Sequence, residues 1–491
     1  GLLLGSLALL AGWLFLVTGC TGAGDFVVAP AGGGGGNTPA PTPTTPTGTI
    51  TVNHQLARTV TTFVTQFRFT GLNSSGDTVV GPTTVAVASQ VVLTQVPVTV
   101  VTLRIEYLGN GVVIGEFTTA VTVTEGGNTV LADPAWTDVA PGTAGYGAAT
   151  AVATAAGPFR LAAADLNGDG NLDLVTANTG SNDISVLLGD GTGAFPTHTE
   201  FATGNGPSAV AAADLNGDGN LDLATANGDG TVSVLLGNGS GAFPTHTEYA
   251  ASGGPVDVAA ADLEGDGDLD LVTANGDATV SVLLGDGSGA FPTHTEFATG
   301  SPSNSVVLVD LDGDFDRDLA TANQNNAANP DDVSVLLGDG AGGFGAATNL
   351  TVPVGNTGPF TIGAADLDGD GDLDLATAEH FGGTLTVFPG NGDGTFGTPA
   401  SMDPDPGSFE CVGLVVADLN GDNRPDLATT DHASNLVVTV LNQGDGTFST
   451  DQILAMAEGQ PNAVIAADLD GDGDLDLAAP GATSLSVFLN Q

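Results

Sequence analysis

The chain has 491 residues, with six Lys and Arg together against 57 Asp and Glu and a formal charge of −51. Binding to a phosphate backbone requires Lys and Arg that displace its counterions, so this balance excludes nucleic acid as a partner. With only Cys20 and Cys411 present, a disulfide framework is also excluded, and a chain this size needs another staple.

Residues 1–20 carry an apolar run that is short for a bilayer span, which needs about 20 residues, but suits the hydrophobic region of a signal peptide. The run ends in Val17-Thr18-Gly19-Cys20, which resembles a bacterial lipobox. That resemblance implies lipidation of Cys20 and export to the cell envelope, at the outer membrane or cell surface. The alternative is a plain signal peptide and a secreted protein. Membrane contact is expected only through this N-terminal anchor.

Residues 21–48 consist largely of Gly, Pro and Thr, with five glycines from Gly32 to Gly36 followed by Pro39, Pro41, Pro43 and Pro46. They cannot bury enough apolar surface to fold, so a disordered linker is expected.

Residues 49–133 alternate apolar and polar side chains. Val101, Leu103, Ile105 and Tyr107 interleave with Thr102, Arg104 and Glu106, and Phe117, Val121 and Val123 sit among threonines. Gly109-Asn110-Gly111 marks a hairpin between those runs. About six or seven strands fit, and an Ig-like β-sandwich serving as a spacer is expected.

From residue 142 to 491 one stretch recurs seven times, first as Asp165-Leu-Asn167-Gly-Asp169-Gly-Asn171-Leu-Asp173. Its positions 1, 3, 5, 7 and 9 are Asp165, Asn167, Asp169, Asn171 and Asp173 in the first copy. The second has Asp214, Asn216, Asp218, Asn220 and Asp222, and the third Asp262, Glu264, Asp266, Asp268 and Asp270. The fourth has Asp310, Asp312, Asp314, Asp316 and Asp318, and the fifth Asp366, Asp368, Asp370, Asp372 and Asp374. The sixth has Asp418, Asn420, Asp422, Arg424 and Asp426, and the seventh Asp468, Asp470, Asp472, Asp474 and Asp476. Alternate oxygen-bearing side chains on a glycine-rich turn converge on one point, as a hard cation with six to eight oxygen ligands requires, and calcium fits best. Side chains 1, 3, 5 and 9 and the carbonyl of position 7 are the expected ligands, for up to seven Ca²⁺. An EF-hand is ruled out because Thr176, Thr225 and Thr273 occupy position 12, where it needs a carboxylate.

The copies begin 49, 48, 48, 56, 52 and 50 residues apart, a period that suits one four-stranded propeller blade each. In the second copy the strands are expected at 209–213, 221–227, 232–236 and 243–249, with the ion loop between the first two and a Gly-rich turn between the last two. The seventh copy stops after three strands, so residues 146–153, opened by Gly142-Thr-Ala-Gly-Tyr146, are expected to supply its fourth.

The Asp-Leu-Asn/Asp-Gly-Asp-Gly-x-x-Asp-Leu motif and the Gly-Asp-Gly-x-Gly-x-Phe turn that follows resemble the FG-GAP/VCBS repeats of integrin-α-like, seven-bladed calcium propellers. The resemblance implies an all-β fold, with a seven-bladed β-propeller following the sandwich and linker. It leaves function open, because such repeats occur in adhesins, lectins and non-catalytic appendages of enzymes.

Catalytic constellations are scarce, and no enzyme is expected. His198, His246 and His294 recur in outer strands that point away from one another. The second strands of copies five and six end in Glu379-His380 and Asp431-His432, where earlier copies have Asn178, Asn227, Asn275 and Asn323. These two acid–imidazole pairs are candidates for a ligand or transition-metal site. The reading is an exported, calcium-stabilised, monomeric adhesion or scaffold module that binds a surface protein or glycan. The alternative is a lectin-like propeller or a non-catalytic appendage of a polysaccharide-processing system.

Overall fold

A computed structural model describes residues 145–491 apart from 325–331, 354–357, 405–409, 445 and 491, and only the backbone of individual strands before that. The chain divides into two units, Gly1–Thr137 and Asp138–Gln491. In the first unit Phe15–Gly19 pairs with Phe26–Pro30. Thr47–Asn53 lies between Gln90–Pro97 and Asn128–Leu131. Gln66–Leu72 lies between Thr78–Ala86 and Thr102–Gly109, and the last of these pairs onward with Val112–Ala120. Gly109 faces Val112 where these two antiparallel strands meet. Beyond these strands, the leader with Cys20, the linker and the expected Ig-like sandwich lie outside the described residues, as do residues 142–144.

The second unit is built of seven four-stranded antiparallel sheets. Blade two consists of Pro207–Ala213, Asp222–Asn227, Thr231–Leu235 and His246–Ala250. Three of these both begin and end within two residues of the sequence expectation. The fourth starts at His246 rather than Phe243. Pro244 has no N–H for the ladder, and Phe243 is buried under the preceding turn instead of extending the strand.

Burial explains the order of strands. The second and third strands are buried along almost their whole length, so they read as short apolar runs such as Val232-Ser-Val-Leu235. The first strand ends in small residues that are half-buried, Ala211 to Ala213 in blade two. The fourth is largely exposed at the rim. Neighbouring blades pack face to face. Ala209, Leu215, Ala224 and Val234 of blade two meet Val258, Leu271, Leu283 and Phe291 of blade three. Edge-on aromatic pairs fasten the rim, as where Phe201 meets Phe243 at 5.6 Å and Tyr249 meets Phe291 at 5.4 Å.

The ring closes as the incomplete seventh copy implies. Thr150–Ala153 pairs antiparallel with Ser484–Phe488, from Thr150 opposite Val487 to Ala153 opposite Ser484. Tyr146 donates its hydroxyl to the Leu475 carbonyl at 3.0 Å, and the Gly147 N–H donates to the Leu489 carbonyl at 2.8 Å. Val152, Leu161, Leu174 and Phe195 pack with Leu469, Leu485 and Val487 across the first and last blades.

Candidate functional site

The seven acidic loops all join first to second strands, and the Gly-rich turns join third to fourth strands. In blade one Asp165 accepts the N–H of Gly168 at 2.7 Å and of Asp169 at 3.1 Å on Oδ1, and that of Gly170 at 2.9 Å on Oδ2. The Asn171 N–H bonds Asp169 Oδ1 at 2.9 Å. The loop therefore wraps around its own first carboxylate. Position 6 must be left-handed to permit this, with φ from 87° to 100° at Gly170, Gly219, Gly267, Gly371 and Gly473. Asn423 at 64° and Phe315 at 78° take the same seat, and Phe315 is 93% exposed.

Position 9 has a second duty. Asp173 is fully buried and accepts the Leu166 N–H at 2.9 Å and the Gly189 N–H at 2.8 Å, one on each oxygen. It ties the loop to the end of the third strand, and Asp222, Asp270, Asp318, Asp374, Asp426 and Asp476 repeat the pattern. Apart from Asp374 Oδ2, which also accepts the Asp368 N–H at 3.2 Å, each oxygen keeps a second lone pair for an ion. Position 7 turns its side chain away, beneath the Gly-rich turn. A Cβ on Gly191, Gly239, Gly287 or Gly392 would collide with the side-chain oxygen of Asn171, Asn220, Asp268 or Asp372. That leaves the backbone carbonyl of position 7 for the loop.

Among the described residues, carboxylate oxygens of positions 1, 3 and 9 come within 4.8 Å of one another in three blades. They are Asp310, Asp312 and Asp318, then Asp366, Asp368 and Asp374, then Asp468, Asp470 and Asp476. Burial, with like charges alongside, raises the pKa of Asp312, Asp368 and Asp470 above the usual carboxylate range. Burial pushes Asp374 and Asp476 up to about 6 and Asp426 up to about 7. Hard oxygens crowded around one point, at a cost a cation would relieve, fit Ca²⁺. Blades one and two offer Asn167 and Asn216 at position 3, neutral oxygens that can also ligate, and blade three offers Glu264. In blade six the Arg424 guanidinium folds back onto Asp422.

At the opposite end of the blades, each expected acid–imidazole pair is divided between a buried acid and a less buried histidine. Successive residues of a strand face opposite sides, so Glu379 points into its blade and His380 out of it. Glu379 is fully buried in the seat that Asn occupies in blades one to four, accepting from Thr377 Oγ1 at 2.6 Å and Thr384 Oγ1 at 3.3 Å. Desolvation pushes it up to about 8. His380 stacks on Phe381 at 4.4 Å, meets the Phe360 ring edge-on and bonds Gln324 Nε2 at 3.0 Å. Burial lowers its pKa, while Glu410 opposes that shift. Asp431 is buried, its Oδ1 accepting the N–H groups of Ala433 and Ser434, and His432 Nδ1 lies 3.2 Å from the Pro461 carbonyl. The connections 323–332 and 402–411, which the sequence makes long on this side, lie partly outside the described residues.

Sequence reading missed a cluster at the starts of the first strands. Arg160 of blade one pairs with Asp257 of blade three and donates to the Asn304 carbonyl of blade four at 2.7 Å. Its guanidinium also lies 5.9 Å from the Phe360 ring centre of blade five. The signal was present. Arg160 and Asp257 stand five residues before the loop Asp of their copies, where others carry Ala209, Ser305, Thr361, Gly413 and Ala463.

Comparison with known proteins agrees with this architecture. The family described as FG-GAP-like repeat matches residues 165–225, 214–273, 264–321, 316–377, 366–429 and 418–479. No curated protein matches by sequence. Among solved structures, the chain is similar to BBS1N crystallised in complex with ARL6DN. The TM-score is 0.51 at 11% identity, covering 71% of this chain and 98% of that one. It also has some likeness to an Agrocybe aegerita lectin that recognises non-reducing terminal N-acetylglucosamine. There the TM-score is 0.41 at 17% identity, covering 87% and 95%. At these identities the likeness concerns the fold alone.

Proposed function

Because the chain belongs to the FG-GAP-like repeat family, we propose that it is an exported, non-catalytic binding module whose ring is stabilised by calcium in the loops at one end of its blades. The observation that carries this reading is the convergence of positions 1, 3 and 9 in blades four, five and seven. Oxygens so placed repel one another until a cation enters, so calcium acts as the staple that the cysteine count does not provide. Export and anchoring rest on the segment ending at Cys20. In bacteria, Cys20→Ala should shift the protein from the membrane to the soluble fraction.

The opposite ends of the blades are free of this duty and depart from the repeat in blades four to six, at Gln324, His380, Phe381 and His432. They are the proposed contact surface for a surface protein. The lectin-like reading stands second, because Phe381, 58% exposed and backed by His380 and Gln324, offers an apolar ring beside hydrogen-bonding groups. A pull-down from surface extracts alongside a glycan array separates the two, each run with calcium and with chelator. Capture that is indifferent to His380→Ala and Phe381→Ala would move the contact surface elsewhere on the ring.

A further inference from the structure

We infer that blade six takes no divalent cation, because Arg424 serves as the internal counter-ion of the loop Asp418–Asp426, so the ring loads at most six ions. The inference deepens the calcium reading and rests on it.

In six copies position 7 is Asn or Asp. In blade six it is Arg, followed by Pro425. The Arg424 stem runs where the position 7 side chain of other blades runs, beneath the turn glycine, here Gly444, whose added Cβ would stand 3.1 Å from Arg424 Cδ. Its Nε then donates to the Asn442 carbonyl at 3.1 Å, and its Nη2 turns back to pair with Asp422 Oδ2. The Asp422 side chain is only 1% exposed. The same Oδ2 accepts Asn420 Nδ2 at 3.1 Å, and Oδ1 accepts the Arg424 N–H at 2.9 Å. The Oδ1 bond recurs in the other loops, as from the Asn171 N–H to Asp169 Oδ1, and what sets blade six apart is that the guanidinium and the position 3 amide engage the second oxygen of position 5 as well.

Charge points the same way. Blade five places five carboxylates in its loop, whereas blade six places three and a guanidinium. A dication entering blade six would have to break a partly buried, hydrogen-bonded ion pair and then face a like charge. Blade four is the instructive contrast. Phe315 strains its backbone, yet its carboxylates still converge, while blade six has a relaxed Asn423 and a guanidinium on its position 5 carboxylate.

The test is calcium stoichiometry on the full chain, by equilibrium dialysis with metal analysis. Wild type should bind no more than six equivalents. Asp370→Asn in blade five should lose one equivalent, Asp422→Asn should lose none, and Arg424→Asn should gain one. Seven equivalents in wild type, one lost in Asp422→Asn, or no gain in a folded Arg424→Asn would overturn the inference while leaving the calcium reading intact. Should Arg424→Asn not fold, the first two measurements decide. No calcium bound by any variant would overturn both.

Discussion

Arg160 Nη1 lies 2.5 Å from Asp257 Oδ2, although 97 residues and a whole blade separate them in the chain. Asp257 is held in turn by the N–H groups of Val258 and Val306, both at 3.1 Å. Blades one, three, four and five are thereby tied together at the starts of their innermost strands. The side chains are only 10% and 15% exposed, so removing one partner strands a poorly solvated charge. Losing half of a buried pair costs about 3–5 kcal/mol. Arg160→Ala should therefore lower the melting temperature of the calcium-loaded protein by several degrees. Arg160→Met combined with Asp257→Leu should recover much of that loss. A double-mutant cycle with no coupling would show that the clamp does not stabilise the ring.

Calcium removal should destabilise the propeller, in a pH-dependent way. At an effective dielectric near 20, two carboxylates 4 Å apart repel by about 4 kcal/mol. Burial raises Asp374 and Asp476 to about 6 and Asp426 to about 7, from an ordinary 3.8. The cation-free folded chain thus holds protons that the unfolded chain releases. Their stabilising contribution is complete below about pH 4 and is lost as pH rises through 6 to 7. Scanning calorimetry with chelator should show melting falling across that window. The gain from added calcium should grow over the same range, and a flat calcium response would refute the cation reading.

Phe315→Gly should stabilise blade four. A bulky residue in the left-handed region costs about 1–2 kcal/mol, and a side chain 93% exposed has little packing to lose. The substitution should raise both the melting temperature and the calcium affinity of this loop, as read by calorimetry. Unchanged values would mean that the strain is absorbed elsewhere.

Glu379→Gln isolates a second pH response, far from any cation. Its pKa is raised from 4.5 to about 8, so its contribution is complete below pH 4.5 and is lost as pH climbs through 8. The amide variant, isosteric with the protonated acid, should melt like wild type near pH 4 and increasingly above it toward pH 9. Parallel melting curves at both pH values would contradict a buried neutral Glu379.

Deleting residues 142–153 should expose the edge of Ser484–Phe488, whose pairing partner is Thr150–Ala153. Open edges recruit other strands, so light scattering should report association beyond the monomer. A deletion variant that stays monomeric and melts like wild type would show that the closing strand is dispensable.

Much of this was legible in the sequence because the protein repeats itself. Seven registered copies fix strand order, loop position and even the missing fourth strand of blade seven, since each blade solves the same packing problem as its neighbours. The left-handed seat of Phe315 could be read from the glycines aligned with it. The separate partners of Glu379 and His380 were harder to read, because neighbours along a strand face opposite sides. Position 9 read as a ligand alone, because its bond to the Gly189 N–H links segments 16 residues apart. Arg160 and Asp257 stayed hidden for the same reason on a larger scale, since only ring closure brings their strands together.

Closure through Thr150–Ala153 also decides how the propeller bears load. A pull transmitted along the chain into Gly145 enters the ring at its closing seam. The force meets Gly145 N–H on Asn490 Oδ1, then Tyr146 on Leu475, then the four-residue ladder against Ser484–Phe488. The mechanical weak point and the topological latch are therefore one strand. Blades one to six would feel tension only after the seventh had given way.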